Sequence, residues 1–298
     1  LDASYQLDAN NSIGANFGFL RNPKQTWNGD MSSSILQDEE LSENSDSHAD
    51  FFWQKNNLSS NIYYVGKIGK LSIDFNTDWL WSKEYQNDVT KEQYQEVGMN
   101  AQSQTAHSLT NKDYHLLASK LVLSYPLLGG NLSLGGEYSN THRTSKYQMV
   151  PTNLVADDDS RITESMTSSF LTYSRDFGDL SLEAGLRYEY IDFNYYEYGK
   201  YVPEQSKSYG NWFPSLSLSM PVGKVQMQLS YAADINRPSY HNLRSGIQYD
   251  NRYTYETGNP FLVSQISRNL NYELAYKWLT FDMTYSHTSN PIISTVET

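Results

Sequence analysis

Apolar and polar residues alternate with a period of two along most of the chain, the spacing that puts successive side chains on opposite faces of a β-strand. Over 71–81, Leu71, Ile73, Phe75, Thr77, Trp79 and Trp81 share one face, against Ser72, Asp74, Asn76, Asp78 and Leu80. Over 180–190, Leu180, Leu182, Ala184, Leu186, Tyr188 and Tyr190 oppose Ser181, Glu183, Gly185, Arg187 and Glu189. Over 225–235, Val225, Met227, Leu229, Tyr231, Ala233 and Ile235 oppose Gln226, Gln228, Ser230, Ala232 and Asp234. Similar faces recur at 5–9, 13–19, 117–125, 132–138, 171–177, 212–220, 270–276 and 279–287, and the stretch at 58–66 is the weakest. The pattern predicts about 12 strands in an all-β, antiparallel fold.

The strands read as about 10 residues or more, beyond the usual 5–6 of soluble sheets and matched to the 9–11 of a membrane-crossing strand. Their connections alternate. Short turns fall at Asn10-Asn11, 66–70, 127–131, Gly178-Asp179, 221–224 and Lys277-Trp278, and long polar loops are expected near 20–57, 84–112, 143–165, 192–210 and 237–265. Short turns on one side and long loops on the other are the pattern of an outer-membrane barrel. Aromatic residues gather at both strand ends: Trp79, Trp81, Tyr85, Tyr188 and Tyr190 towards the long loops, and Tyr125, Phe177, Tyr276 and Trp278 towards the short turns. Rings at headgroup level form two such girdles.

Alternation alone leaves open which face is wet. Strand length and loop asymmetry favour a polar interior. So do Asp74, Asp78, Glu183, Arg187, Glu189, Asp234 and Asp282, whose burial in a dry core would be costly. Leu71, Ile73, Phe75, Leu180, Leu182, Leu186, Val225, Met227, Leu229, Leu279 and Phe281 are then expected to face lipid. The sheet should be right-twisted, paired in sequence order and curved as an incomplete barrel wall, or close as a strained small barrel.

Composition narrows the function. Lys plus Arg is 22 and Asp plus Glu is 34, so the formal charge is 22 − 34 = −12, which argues against binding nucleic-acid phosphates. Cysteine is absent, which removes disulfides, thiolate metal sites and cysteine nucleophiles. Mean hydropathy is −0.64, and no stretch approaches the roughly 18 apolar residues of a membrane helix. Tyr (25), Phe (11) and Trp (6) make up 14% of the chain, too aromatic for disorder.

Candidate chemistry is sparse. The six histidines are His48, His107, His115, His142, His241 and His287, with no close metal-ligand spacing. His115 and His142 should be cross-strand neighbours on the apolar face, as interfacial residues. Asp157-Asp158-Asp159, and Asp38-Glu39-Glu40 with Glu43, Asp46 and Asp50, read as solvated loop charges without an EF-hand spacing. No Gly-x-Ser-x-Gly or phosphate-binding glycine loop occurs. Glu183 and Glu189 share the polar lining. No enzyme activity, cofactor or metal is expected.

The stretch 212–276 carries a resemblance. It reads Trp212-Phe213-Pro214-Ser215-Leu216-Ser217-Leu218, then Leu229-Ser230-Tyr231, Asn236-Arg237-Pro238-Ser239-Tyr240-His241-Asn242-Leu243, Gly258-Asn259-Pro260-Phe261-Leu262 and Asn271-Tyr272-Glu273-Leu274-Ala275-Tyr276. It resembles the barrel of TonB-dependent receptor-type proteins, in particular the related outer-membrane β-barrel family. Leu186-Arg187-Tyr188-Glu189-Tyr190 fits the preceding strand of that family. The chain departs at Arg244-Ser245 and Val263-Ser264-Gln265, where family members often carry proline. In physical terms, Pro238 cannot donate to a ladder and holds Arg237 extended, so the pair is a strand exit. Gly258-Asn259-Pro260 is a turn that sets up re-entry.

The resemblance implies a bacterial outer-membrane protein that binds and imports a nutrient such as a glycan, an iron chelate or a peptide. Its partners would be outer-membrane lipid and lipopolysaccharide, the TonB complex acting through N-terminal parts outside 1–298, and a surface lipoprotein. Leu1 is not Met and Thr298 falls mid-pattern, so 1–298 reads as one barrel segment of a longer chain, without plug. The alternatives are a structural or adhesive barrel, or a passive porin. Tyr195, Tyr196, Tyr198 and Tyr201 in one long loop, and Tyr249, Tyr253 and Tyr255 in another, are the candidate ligand contacts. Flat amphipathic rings cover apolar ligand faces at little entropy cost. The alternative, which the sequence favours, is that these rings extend the outer girdle or pack the loops on each other.

Overall fold

The computed structural model describes residues 1–296. Its strands are β1 (Asp2–Asp8), β2 (Asn11–Gln37), β3 (Glu40–Ile68), β4 (Leu71–Glu96), β5 (Gln102–Leu127), β6 (Gly130–Val150), β7 (Asp158–Phe177), β8 (Leu180–Glu197), β9 (Lys200–Tyr201), β10 (Lys207–Val222), β11 (Val225–Asn236), β12 (Ile247–Asn251), β13 (Thr254–Thr257), β14 (Gln265–Tyr276) and β15 (Leu279–Ser289). Twelve of them pair in the order β1-β2-β3-β4-β5-β6-β7-β8-β10-β11-β14-β15, with β9 added to β8, and β12 and β13 form a separate hairpin. Sheet neighbours are antiparallel throughout and follow sequence order, passing over only β9 and the β12–β13 hairpin, as the alternation predicts. The sheet is not closed, and β1 and β15 are its edges.

The register carries one apolar face across the sheet. Leu123 lies opposite Ile73 and Leu134, Leu171 opposite Leu134 and Leu186, and Leu218 opposite Leu182 and Leu229. Met227 and Phe281 both lie opposite Leu274. These side chains point away from any core: Leu186 is 44% exposed, Leu229 37% and Phe281 52%. The other face is a polar row, for example Ser174, Glu183, Ser217, Ser230 and Asn271 in successive strands.

The short turns hold two residues each where the sequence places them. Gly178 and Gly223 open theirs with φ of 63° and 65°, conformations that tight hairpins demand and glycine adopts without strain.

The opposite ends differ from expectation. The stretches 20–57, 84–112, 143–165 and 192–210, expected as loops, are mostly strand. β2 to β5 hold 27, 29, 26 and 26 residues, and β3 reaches about 95 Å at roughly 3.3 Å per residue. Only about 9–11 residues of each are needed to cross a bilayer. The remainder projects on the side opposite the short turns. A ladder satisfies each N–H and C=O whether or not a face is apolar, so these polar segments extend as strand where hydrophobic alternation has faded. A register shift between Asn22 and Gln25 brackets Pro23, which has no N–H to give.

The expected loop at 237–265 is real and folds back across the polar face of the projecting strands. It builds the two buried apolar clusters. Tyr249 joins Ala106, Tyr147, Met149 and Val155 in one, and Leu243 joins Ile162, Ile191, Phe193 and Tyr195 in the other.

Candidate functional site

The excursion begins and ends as its sequence demands. β11 stops at Asn236, and Arg237 turns onto the polar face to meet Glu189. Glu189 has only 5% of its side chain exposed and also takes Arg187 at 2.6 Å. Two guanidinium groups therefore surround one buried carboxylate, which offsets its desolvation. The Tyr240 hydroxyl donates to Glu164 Oε1 at 3.2 Å, and the Arg143 guanidinium donates to the Tyr240 carbonyl at 3.2 Å. On the return, the Asn259 N–H donates to the Asn242 carbonyl at 2.7 Å. A Cβ at Gly258 would lie 2.5 Å from that oxygen and 2.7 Å from the Arg244 carbonyl, so only glycine fits this neck.

The tip of the excursion is held by two carboxylates. Glu92 on β4 is almost fully buried. It accepts the Tyr249 hydroxyl, the Arg252 backbone N–H at 2.7 Å and the Gln104 amide at 3.3 Å. Glu43 on β3, 8% exposed, accepts the Tyr253 hydroxyl at 2.5 Å and Arg252 Nε at 3.2 Å. Burial and the Glu92 carboxylate push the Tyr249 hydroxyl well above the usual tyrosine range, keeping it a neutral donor. Glu43 is thus no solvated loop charge, as its acidic surroundings suggested. It sits within a ladder and faces the folded-back tip.

Between this tip and the projecting strands lies a cleft of about 510 Å³, within the range of small-molecule sites. Trp27 and Phe51 form one wall, with ring centroids 4.9 Å apart. Tyr147, Met149 and Ala106 form the floor. Asp88 faces the cleft from β4. Its Oδ2 accepts Gln86 at 2.7 Å and Ser108 at 3.5 Å, and its Oδ1 is buried without a hydrogen-bond partner. Burial raises the Asp88 carboxyl above the usual range, the Gln86 and Ser108 bonds opposing it in part. Burial likewise raises Asp250, aided by Glu256. Burial would raise Glu256 too, but His241 at 2.8 Å and Arg244 at 3.3 Å hold it below the usual range.

The seven candidate tyrosines divide. Tyr195, 1% exposed, is interior and shares a hydrogen bond of 2.9 Å with Ser245. Tyr249 is buried beneath the tip. Tyr196 is half-buried, with the Arg161 guanidinium 4.1 Å above its ring and the Tyr201 edge 5.6 Å away. Tyr198, Tyr201, Tyr253 and Tyr255 are exposed, and Tyr255 meets Tyr249 edge-on at 5.6 Å. Among the described residues no ring pair joins the 195–201 set to the 249–255 set. His115 and His142 are direct ladder partners, as expected. The sequence pattern does not single out Trp27, Phe51, Asp88 or Glu92, and it places Glu43 among solvated loop charges. The aromatic run Phe51-Phe52-Trp53, set in a polar stretch, was the available signal.

The model of the family described as outer membrane protein beta-barrel family matches residues 66–298. No curated protein sequence matches the chain. Similar solved structures include the alcaligin outer-membrane receptor FauA from Bordetella pertussis, at 12% identity and TM-score 0.41, covering 93% of this chain and 51% of that one. The ferric yersiniabactin uptake receptor FyuA from Yersinia pestis gives 10% and 0.42, covering 96% and 51%. The unliganded ferric citrate transporter FecA gives 10% and 0.45, covering 93% and 48%. The chain spans about half the length of these structures. With an apolar face running across twelve antiparallel strands and the family model matched over residues 66–298, the chain belongs to the outer-membrane β-barrel family and forms barrel wall in the bacterial outer membrane.

Proposed function

We propose that this chain is the barrel wall of a TonB-dependent receptor-like importer that captures a nutrient ligand at its extracellular mouth. The observation that carries the reading is the fold of 237–265 back across the polar face, which leaves a partly apolar cleft of about 510 Å³ between the excursion and the projecting strands. A diffusion pore needs an open path, and an adhesin needs no cleft lined from within. The resemblance of 212–276 to TonB-dependent barrels supports energised uptake of a glycan, an iron chelate or a peptide, with TonB engaging N-terminal parts and a surface lipoprotein as a further partner. Tyr196, Tyr198, Tyr201, Tyr253 and Tyr255, the accessible members of the aromatic set, are the proposed rim contacts.

The test uses cells with and without the full-length protein, measuring which nutrients disappear from a defined medium, with and without a protonophore. Loss of depletion of one nutrient class in the deletion strain and under the protonophore supports the reading. Unchanged depletion, together with free passage of small sugars through the protein in liposomes, would establish a passive porin instead.

A further inference from the structure

We infer that the cleft between Trp27, Phe51 and the 247–257 hairpin binds an organic cation, an ammonium or guanidinium group carried on an apolar body. This inference deepens the importer reading and rests on it for its biological meaning. The argument is a charge inventory of the lining. Lys112 and His241 are the cations there, and both are taken: Lys112 by Glu84 at 2.8 Å and His241 by Glu256 at 2.8 Å. Asp30 is paired with His48 at 2.6 Å. Asp88 and Asp250 remain, and neither has an ion-pair partner among the described residues. Asp88 also keeps a buried oxygen with no donor.

Asp88 accepts only the neutral donors Gln86 and Ser108, and a half-buried carboxylate so placed is stabilised by a cation brought against it. Beside Asp88 in the ladder stands Phe51, and beside Phe51 stands Trp27, with Tyr147 and Met149 also lining the cleft. Aromatic faces attract cations and cover apolar carbon at once. The same two carboxylates disfavour an anion. Charge, walls and volume therefore select one class: a cationic head for Asp88 and Asp250, and an apolar or aromatic body for the rings.

Tryptophan fluorescence of the full-length protein in non-ionic detergent tests this, titrated with phenethylammonium, neutral phenylethanol and anionic phenylacetate. The expected result is saturable binding of phenethylammonium about tenfold or more tighter than either relative. Asp88→Asn should abolish that preference while heat-modifiable migration on gels shows the barrel intact. Should Asp88→Asn fail to fold, Asp250→Asn and Trp27→Ala, at more open positions, should each weaken the ammonium probe severalfold. Equal affinity for the three probes, no saturable binding, or undiminished preference in all folded variants would overturn the assignment. Uptake that persists without cation preference would sink this inference and leave the importer standing. Cation preference without uptake would do the reverse.

Discussion

Glu92 shows how much of this site depends on single side chains. It accepts three donors from chain segments as far apart as Gln104 and Arg252, and each buried donor left without an acceptor costs about 1–3 kcal/mol. Glu92→Ala is therefore expected to undock the tip. Hydrogen exchange across 247–257 should quicken about tenfold or more, with the membrane strands unaffected. Exchange unchanged at the tip would show that the apolar cluster alone holds it. Asp88 has the opposite sign. Its folded-state pKa is raised by burial, so its charge opposes folding at neutral pH, and that penalty is relieved as pH falls towards the raised value. Asp88→Asn should thus raise thermal stability at pH 7, with the gain shrinking on acidification. A loss of stability at pH 7 would show that its hydrogen bonds outweigh its desolvation. For the rim, Tyr253→Ala with Tyr255→Ala, and separately Tyr196→Ala with Tyr198→Ala, should lower uptake without altering heat-modifiable folding. The first pair also removes a donor to Glu43, so it should have the larger effect. Tyr195 lies in a strand and not in the loop that the sequence predicts. β8 runs to Glu197, and its alternation, continued through Ile191, Phe193 and Tyr195, puts all three on the inward face, where they are buried.

At the scale of the strand, the opposition of faces makes a sharp prediction at two adjacent residues. Leu229 faces lipid and Gln228 faces the lumen. Leu229→Arg should cost about 2–4 kcal/mol near the bilayer midplane, and Gln228→Arg little. Urea unfolding of the full-length protein in lipid vesicles measures both, and equal costs would refute the assigned faces. The membrane portions of β4, β8 and β11 were legible because lipid on one side and water on the other impose period two. Their projecting portions were not. Above the membrane β4 continues as Lys83-Glu84-Tyr85-Gln86-Asn87-Asp88, polar on both faces, and such a strand announces itself only through its ladder. The acidic run at 38–50 was read as solvated for the same reason, although Glu43 and Ser45 lie inward beneath the tip.

For the whole molecule, strand order, turn positions and orientation follow from local pattern, because each pairing joins consecutive segments. The inward fold of 237–265 does not. Its anchors link residues 157 and 160 positions apart, Glu92 to Tyr249 and Glu92 to Arg252, and no periodicity encodes such contacts. The excursion also bears on permeation. Residues 245–257 can be excised and Arg244 joined to Gly258 through a single glycine, since a Cβ on Gly258 would sit 2.7 Å from the Arg244 carbonyl. In planar bilayers the full-length protein so shortened should conduct more than the parent. Equal conductance would mean that the excursion does not lie across the path.

The narrow neck at Asn242, Arg244 and Gly258 has a consequence for how such a protein can diversify. β11 and β14 pair without a break from Val225–Tyr276 to Asn236–Gln265, so the wall is continuous beneath the excursion. What lies beyond the neck is a cassette: its length and side chains can be exchanged without moving a membrane strand. Sequence change beyond the neck is thereby uncoupled from membrane insertion, and grafting a foreign hairpin at this neck should leave the assembly of the barrel in the membrane as it was.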